Sequence, residues 1–94
     1  MVKLIARIEA KPGREQCIAD ALKELSGPSR AEAGCVQYDV CRLKDDPTKL
    51  VVVEEWASQE ALDAHMATPH FQAFVGQIGE ALAGPPKLEF IEPL

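Results

Sequence analysis

The two histidines of the chain, His65 and His70, lie in the stretch DAHMATPHFQAF, on either side of a Thr-Pro pair. His65 follows Leu62 at helical spacing, which turns its side chain toward the inside of a helix. A neutral imidazole in that position can orient a hydroxyl group or accept its proton. His65 is therefore the candidate catalytic base, although an inward histidine can equally be a structural residue held by hydrogen bonds.

His70 is predicted to lie close to the start of a new helix. Thr68 is a suitable cap for that helix and Pro69 its first residue, because proline is favoured at the first helical position. The helix dipole there disfavours imidazolium. Since a helix break separates the two histidines, they do not form the H-x-x-x-H zinc motif on one helical face. The sequence predicts no metal site, and one assembled from both histidines and a distant Cys or Glu is the alternative.

Three further candidate residues lie on predicted strands. Glu54 and Trp56 are two residues apart, so they share one strand face with Val52. Tyr38, the only tyrosine, lies on another strand with apolar neighbours. A carboxylate on an apolar face needs a partner. Its candidate partners are cationic side chains on neighbouring strands: Arg7, Arg42 and Lys87.

The first half of the chain is predicted to form a strand and a helix. Alternating apolar residues predict the strand over Val2 to Glu9, and the 3.6-residue period predicts the helix from about Arg14 to Leu25. Gly27-Pro28 is predicted to end or kink this helix. One more turn, Arg30 to Ala33, would then follow with Ser29 as its cap.

The second half is predicted to contain three strands and two helices. A turn at KDDPTK would join two of the strands into a hairpin, and Ser58 would cap the first of the two helices. A Gly-Pro-Pro sequence would stop the second helix before the last strand. The predicted elements are strands Cys35 to Leu43 and Leu50 to Ala57, helix Gln59 to Ala67, a helix starting at Pro69, and strand Lys87 to Ile91.

The order β-α-β-β-α-β predicts a ferredoxin-like α+β fold with an antiparallel four-stranded sheet in a single domain, residues 1–94. Helices on one face would leave the other face in water. However, Leu50 to Val53 is apolar on both strand faces, and Ile5 lies on the second face of the first strand. A sheet with two apolar faces needs a second cover. We therefore expect a homodimer with back-to-back sheets.

Composition excludes several partners and cofactors. The net charge is −5 with no run of basic residues, which argues against nucleic acid and anionic membranes. The longest aliphatic run, Leu50 to Val53, is too short to cross a membrane, and MVKLIARIEA has too many charges for a signal peptide. Three cysteines without a C-x-x-C motif suggest reduced thiols and a cytoplasmic protein. No nucleotide, flavin or haem motif occurs.

Three segments together resemble the antibiotic biosynthesis monooxygenase (ABM) family of dimeric α+β barrels. They are AEAGCVQYDVCRLKDDP, VVVEEWASQEALDAHMATPHFQAF and GPPKLEFIEPL. The features carrying the resemblance are a Gly-Cys step into a strand with Tyr38, the Glu54-x-Trp56 strand end, and His65 followed by Thr68-Pro69-His70-Phe71. The resemblance covers nearly the whole chain.

The resemblance implies a homodimer in which each protomer holds a cavity between sheet and helices. It also implies a quinol-type monooxygenase that uses O2 without metal, flavin or haem, on a small hydroxylated aromatic substrate. The protein would deprotonate an electron-rich phenol in a dry pocket. The implied catalytic residues are His65, Trp56 and Tyr38, and the implied substrate-binding residues are His70, Phe71, Phe74, Glu54, Val52, Leu62 and Met66.

Two alternatives share this fold. One is an isomerase or other proton-transfer enzyme that uses the same histidine without O2. The other is a dimer that binds a ligand without catalysis. Haem degradation is disfavoured, because the first strand has Ala6 and Arg7 where that branch of the family uses an asparagine, and the short helix has His65 where that branch has a tryptophan.

Overall fold

The computed structural model describes residues 1–94, which form four strands, three α-helices and one short 3-10 helix. In chain order the elements are β1 Val2–Glu9, α1 Glu15–Arg30, β2 Cys35–Leu43, β3 Asp46–Trp56, α2 Gln59–Met66, α3 Pro69–Ile78, the 3-10 helix Gly79–Ala81, and β4 Lys87–Ile91.

The strands form one antiparallel sheet in the order β2-β3-β1-β4. β1 lies in the centre of the sheet and pairs with β3 from Val2 opposite Trp56 to Glu9 opposite Lys49. The helices pack on one face only, where apolar residues of β1 and β3 meet those of α1. The predicted ferredoxin-like α+β fold is therefore confirmed. The most deeply buried residues of this layer include Leu4, Ile18, Leu22, Val52 and Trp56.

The first helix is longer than predicted. α1 runs from Glu15 to Arg30, with Pro28 inside its last turn, so the alternative in which the helix ends at Gly27-Pro28 is wrong. A proline removes one N–H group from a helix. Here the helix ends two residues later, so the loss affects only the final turn. The separate turn capped by Ser29 is also wrong, because Ser29 lies inside α1 and is fully buried.

The hairpin between β2 and β3 is confirmed, but its turn is shorter than predicted. Pairing continues to Leu43 opposite Asp46, which leaves only Lys44 and Asp45 in the turn. At the other end of β2, the register of its pairing with β3 shifts between Cys35 and Gln37. Cys35 consequently packs against the core, while Cys41 is exposed.

The restart between the last two helices is confirmed. Ser58 Oγ accepts a hydrogen bond from the Ala61 N–H at 3.1 Å, and Thr68 Oγ1 accepts one from the Phe71 N–H at 3.3 Å. Pro69 is the first residue of α3. The helix ends at Ile78, and Leu82 beyond it is extended and forms a bridge with Ala10.

None of the helices is long and apolar enough to cross a membrane. The sheet face opposite the helices carries charged residues around a partly buried apolar strip. That strip consists of Ile5 on β1 and Val51 and Val53 on β3; Ile5 lies opposite Val53, and Val51 lies opposite Arg7.

Candidate functional site

A cavity of about 160 Å³ lies between the sheet and helices α2 and α3. Fourteen of its seventeen lining residues are hydrophobic, and the three polar ones are Tyr38, Glu54 and His65. Val75 and Leu88 line the cavity and are each 47% exposed, so it opens to the surface between α3 and β4. Val52, Leu62, Met66, Phe71 and Phe74, which the sequence suggested as pocket residues, all line it.

His65 is held at the inner end of this cavity by contacts on several sides. It projects from α2, is 1% exposed, and its ring lies 4.5 Å from that of Trp56, centroid to centroid. The Tyr38 and Phe71 rings approach it edge-on at 5.4 and 5.1 Å. Aromatic packing of this kind fixes the plane of the imidazole.

Glu32 supplies the hydrogen bond that orients His65. The Nδ1–H of His65 donates to Glu32 Oε2 at 2.7 Å, because a carboxylate can only accept. The neutral ring therefore carries its proton on Nδ1, and Nε2 is the basic nitrogen. Nε2 is buried and has no hydrogen-bond partner within the protein. This is the arrangement of a general base whose tautomer is fixed by a carboxylate.

The pKa of His65 is lowered from its ordinary value. Burial is the largest cause, because the apolar surroundings disfavour the imidazolium. The hydrogen bond and the negative charge of Glu32 act in the opposite direction, and His70 contributes a smaller lowering. His65 is therefore neutral at pH 7 and able to accept a proton.

His70 reaches this site only through Glu32. Its Nε2–H donates to the same oxygen, Glu32 Oε2, at 2.8 Å, but the side chain does not line the cavity. Glu32 thus joins two histidines from α2 and α3 that a helix restart separates. His70 was suggested as a substrate-binding residue, but it could influence a bound substrate only through Glu32.

Gly34 allows the Glu32 turn to lie against α2. A methyl group on Gly34 would overlap the side chain of Ala61. The turn is also tied to its neighbours by the Cys35 N–H, which donates to the Glu32 carbonyl at 3.0 Å, and by the Ala57 N–H, which donates to the Gly34 carbonyl at 2.8 Å. Close packing at Gly34 therefore sets the distance between Glu32 and His65.

Glu54 is the second carboxylate of the site and lies on β3, 5% exposed. The prediction of a cationic partner is wrong: the Trp56 Nε1–H donates to Glu54 Oε1 at 2.9 Å. The suggested Arg7 instead pairs with Glu89 on the other sheet face. Burial raises the pKa of Glu54, and the Trp56 hydrogen bond partly offsets the rise. Trp56 itself is fully buried behind His65 and does not line the cavity.

Tyr38 lies on β2 opposite Glu54, is 3% exposed and lines the cavity. Burial, followed by the charge of Glu54, raises the pKa of its phenol, so it stays protonated at neutral pH. Tyr38 can therefore donate a hydrogen bond but cannot act as a base. Of the three residues suggested as catalytic, His65 and Tyr38 line one cavity and Trp56 supports it.

Glu32, His65 and His70 could also hold a metal ion. One ligand atom from each lies within 4.8 Å of the others. Two histidines and one carboxylate are a familiar donor set for iron and zinc. In this structure the same atoms are joined by hydrogen bonds, so each histidine would have to carry its proton on the other ring nitrogen before it could bind a metal ion. The chain thus offers the donor set that the sequence left as an alternative, with Glu32 as its carboxylate.

Comparison with known proteins identifies the family. The family model described as antibiotic biosynthesis monooxygenase matches residues 1–77. The chain belongs to the antibiotic biosynthesis monooxygenase family. The sequence resemblance is therefore confirmed, and the family model covers Glu32, Tyr38, Trp56 and His65 together with the whole of α2.

Solved structures and curated relatives agree with membership of the ABM family. Rv0793 of Mycobacterium tuberculosis is 34% identical over 93 residues, which are 99% of this chain and 91% of that protein, and its structure gives a TM-score of 0.90. PA3566 of Pseudomonas aeruginosa is 35% identical with a TM-score of 0.93, covering 99% of this chain and 93% of that one. The "Probable quinol monooxygenase YgiN" of Escherichia coli K12 is 30% identical, covering 79% of this chain and 81% of that protein.

Proposed function

We propose that this ABM protein is a monooxygenase that oxidises a small hydroxylated aromatic substrate, such as a quinol, with O2. The observation that carries the proposal is the state of His65. A neutral imidazole, fixed by Glu32 with its basic nitrogen free, lies at the inner end of an apolar cavity with a hydroxyl-bearing tyrosine beside it. Membership of the ABM family and a relative named as a quinol monooxygenase support the same reaction.

In the proposed reaction His65 Nε2 first removes the proton of a substrate hydroxyl. The resulting phenolate gives one electron to O2, and the semiquinone and superoxide then combine to form a carbon–oxygen bond. The proton held by His65 passes to the peroxide. Breakage of the O–O bond with loss of the ring C–H proton leaves a ring carbonyl and releases water. A quinol and O2 thus give a hydroxyquinone and one water, and the four electrons taken up by O2 all come from the substrate.

The protein residues supply positioning and proton transfer in this scheme. Glu32 stabilises the imidazolium that forms on His65. Glu54 can accept a hydrogen bond from a second substrate hydroxyl, and its negative charge makes the ring easier to oxidise. The largely apolar lining excludes water from the reacting oxygen species.

The dimensions of the cavity support chemistry without a bound organic cofactor. An apolar cavity of about 150 Å³ holds a single benzene ring, and this one measures about 160 Å³. A flavin or a haem is several times larger. Its lining also contains no Lys or Arg that would bind a cofactor phosphate or propionate.

We further propose that the protein is a homodimer of the cytoplasm. The apolar strip formed by Ile5, Val51 and Val53 would meet its counterpart in a second copy, while the three unpaired thiols suit a reducing compartment. Analytical ultracentrifugation tests the dimer: a monomer mass for the wild type would contradict it. Val53→Glu should convert a dimer to a monomer.

An oxygen electrode provides the test of the reaction. We expect O2 uptake that depends on the protein and on an added hydroquinone, continues after treatment with EDTA, and falls in the variant His65→Asn. Absence of protein-dependent uptake across a panel of quinols and catechols would refute the oxygenase. Turnover of substrate under anaerobic conditions would instead favour a proton-transfer enzyme.

A further inference from the structure

The cavity lining contains one carboxyl group, that of Glu54, and no basic side chain that could balance its negative charge. Its only ionisable side chains are Tyr38, Glu54 and His65, and its lining includes no Lys or Arg. The tyrosine is held in its neutral form and the histidine is neutral at pH 7. Glu54 is therefore the only residue of the lining whose ionised form would present a charge to a bound molecule at pH 7.

Glu54 is fixed so that one oxygen is available to a ligand. The Trp56 Nε1–H occupies Oε1, and no other hydrogen bond within the protein reaches the carboxylate. β3 and the ring of Trp56 behind His65 hold it in place. A fixed, buried acceptor rejects ligands that cannot donate to it, and rejects anions more strongly because charges interact over longer distances in an apolar medium.

We propose that Glu54 selects the substrate by charge: the cavity takes an uncharged, single-ring aromatic whose hydroxyl donates to Glu54, and excludes the same ring bearing a carboxylate or phosphate. This inference deepens the proposed function and rests on it for the phenolic nature of the substrate. The size of the cavity limits the enclosed part to about one ring. Larger substituents on the ring would extend out of the cavity through the opening beside Val75 and Leu88, where apolar groups fit best.

Within the protein itself, Glu54 already disfavours a negative charge on one neighbouring group, the phenol of Tyr38. That phenol lies on the strand opposite Glu54 in the same cavity. After burial, the charge of Glu54 is the next cause that raises the pKa of Tyr38 and so keeps it neutral. A ligand carboxylate in the same position would have to take up a proton or remain in water, and either requirement weakens its binding at pH 7.

The test is a binding measurement with two ligands that differ only in charge. Isothermal titration under anaerobic conditions would compare 2,5-dihydroxybenzamide with 2,5-dihydroxybenzoate. The wild type should bind the amide at least about tenfold more tightly than the carboxylate. Glu54→Gln, which keeps an acceptor for Trp56, should reduce that ratio to about two or less. Glu55→Gln, which removes the same charge from the opposite strand face, should leave it unchanged.

Each outcome of this experiment decides the proposal. Equal binding of the two ligands by the wild type would overturn it without any variant, as would an unchanged ratio in Glu54→Gln. Failure of both ligands to bind would also overturn it. Because the measurement needs no turnover, charge selection without O2 uptake would leave this inference standing while the oxygenase reaction fails.

Discussion

Two carboxylates close to His65 differ in the groups that surround them. Glu32 lies in an irregular turn, and one of its oxygens accepts hydrogen bonds from two imidazoles, at 2.7 and 2.8 Å. Glu54 lies on a strand and accepts one hydrogen bond, from a neutral indole. A carboxylate with two imidazole donors orients a neighbouring base, whereas one with a single neutral donor keeps an oxygen for a ligand. This difference in surroundings is the basis for proposing different roles for the two carboxylates.

Replacing His65 should have the largest effect on activity. His65→Asn keeps an N–H group for Glu32 but removes the basic nitrogen, so turnover should fall by about 10²- to 10⁴-fold. His70→Gln, which also keeps a donor for Glu32, should cost only a few-fold. Oxygen-electrode rates with a hydroquinone measure both. Equal losses in the two variants would show that the two histidines are not distinguished in the way the structure indicates.

Replacing Glu32 should lower turnover less than replacing His65 does, and it should also change the pH dependence of turnover. Glu32→Gln keeps an acceptor for the His65 Nδ1–H but removes the negative charge that raises the pKa of His65, so that pKa falls further below its ordinary value. The neutral form is the active one, hence the acidic limb of the kcat profile should move to lower pH while kcat falls about 10- to 100-fold.

The same pH profile separates the two carboxylates. Glu54→Gln should leave the acidic limb near its wild-type position, because Glu54 is not among the groups that shift the pKa of His65.

Adding Glu32→Gln to His65→Asn should cause little further loss, since Glu32 acts through His65. Full additivity of the two substitutions would contradict that coupling.

Changing Gly34 should separate Glu32 from His65 without altering either. Gly34→Ala places a methyl group against Ala61, and overpacking of this kind costs about 1–3 kcal/mol in the free energy of unfolding. Urea denaturation measures the cost. The double variant Gly34→Ala with Ala61→Gly returns the space and should recover part of the activity, although a glycine within α2 costs about 1 kcal/mol. No recovery of activity would show that the contact does not set the site geometry.

The smallest expected effect is a gain in stability. Burial raises the pKa of Glu54, so its charge opposes folding at neutral pH. Glu54→Gln should therefore raise the free energy of unfolding at pH 7 by about 1 kcal/mol. The gain should disappear as the pH falls below 4.5, the ordinary value, because the carboxyl is then protonated in both states. Glu55→Gln serves as the control, and a loss of stability at pH 7 in Glu54→Gln would contradict the expectation.

Periodicity in the sequence was enough to predict the elements and the apolar cavity wall. Alternation in β1 and β3 placed Glu54 and Trp56 on the helix-covered face, and side-chain caps located the restart before Pro69. These features follow from contacts between residues near one another in the chain. Turn lengths and the end of α1 were less predictable, because strand pairing and packing against the sheet override weak local signals.

The role of Glu32 could not be predicted from the sequence. Glu32 lies 33 positions before His65, in a segment for which the sequence predicts one more turn of helix. Two features of the sequence point toward this contact. One is an acidic residue just before a Gly-Cys step, and the other is a pair of histidines for which the sequence indicates no partner. Only the close contact of Gly34 with α2 shows that these features belong together.

The single tryptophan of the chain also makes the site observable. Trp56 donates its indole N–H to Glu54, and its ring lies 4.5 Å from that of His65. An imidazolium at that distance withdraws electrons from an excited indole, whereas a neutral imidazole does so less. The intrinsic fluorescence of the unlabelled protein should therefore follow both the protonation of the base and the arrival of a ligand at Glu54. Trp56 can therefore serve as a fluorescent reporter that lies directly behind the proposed catalytic base.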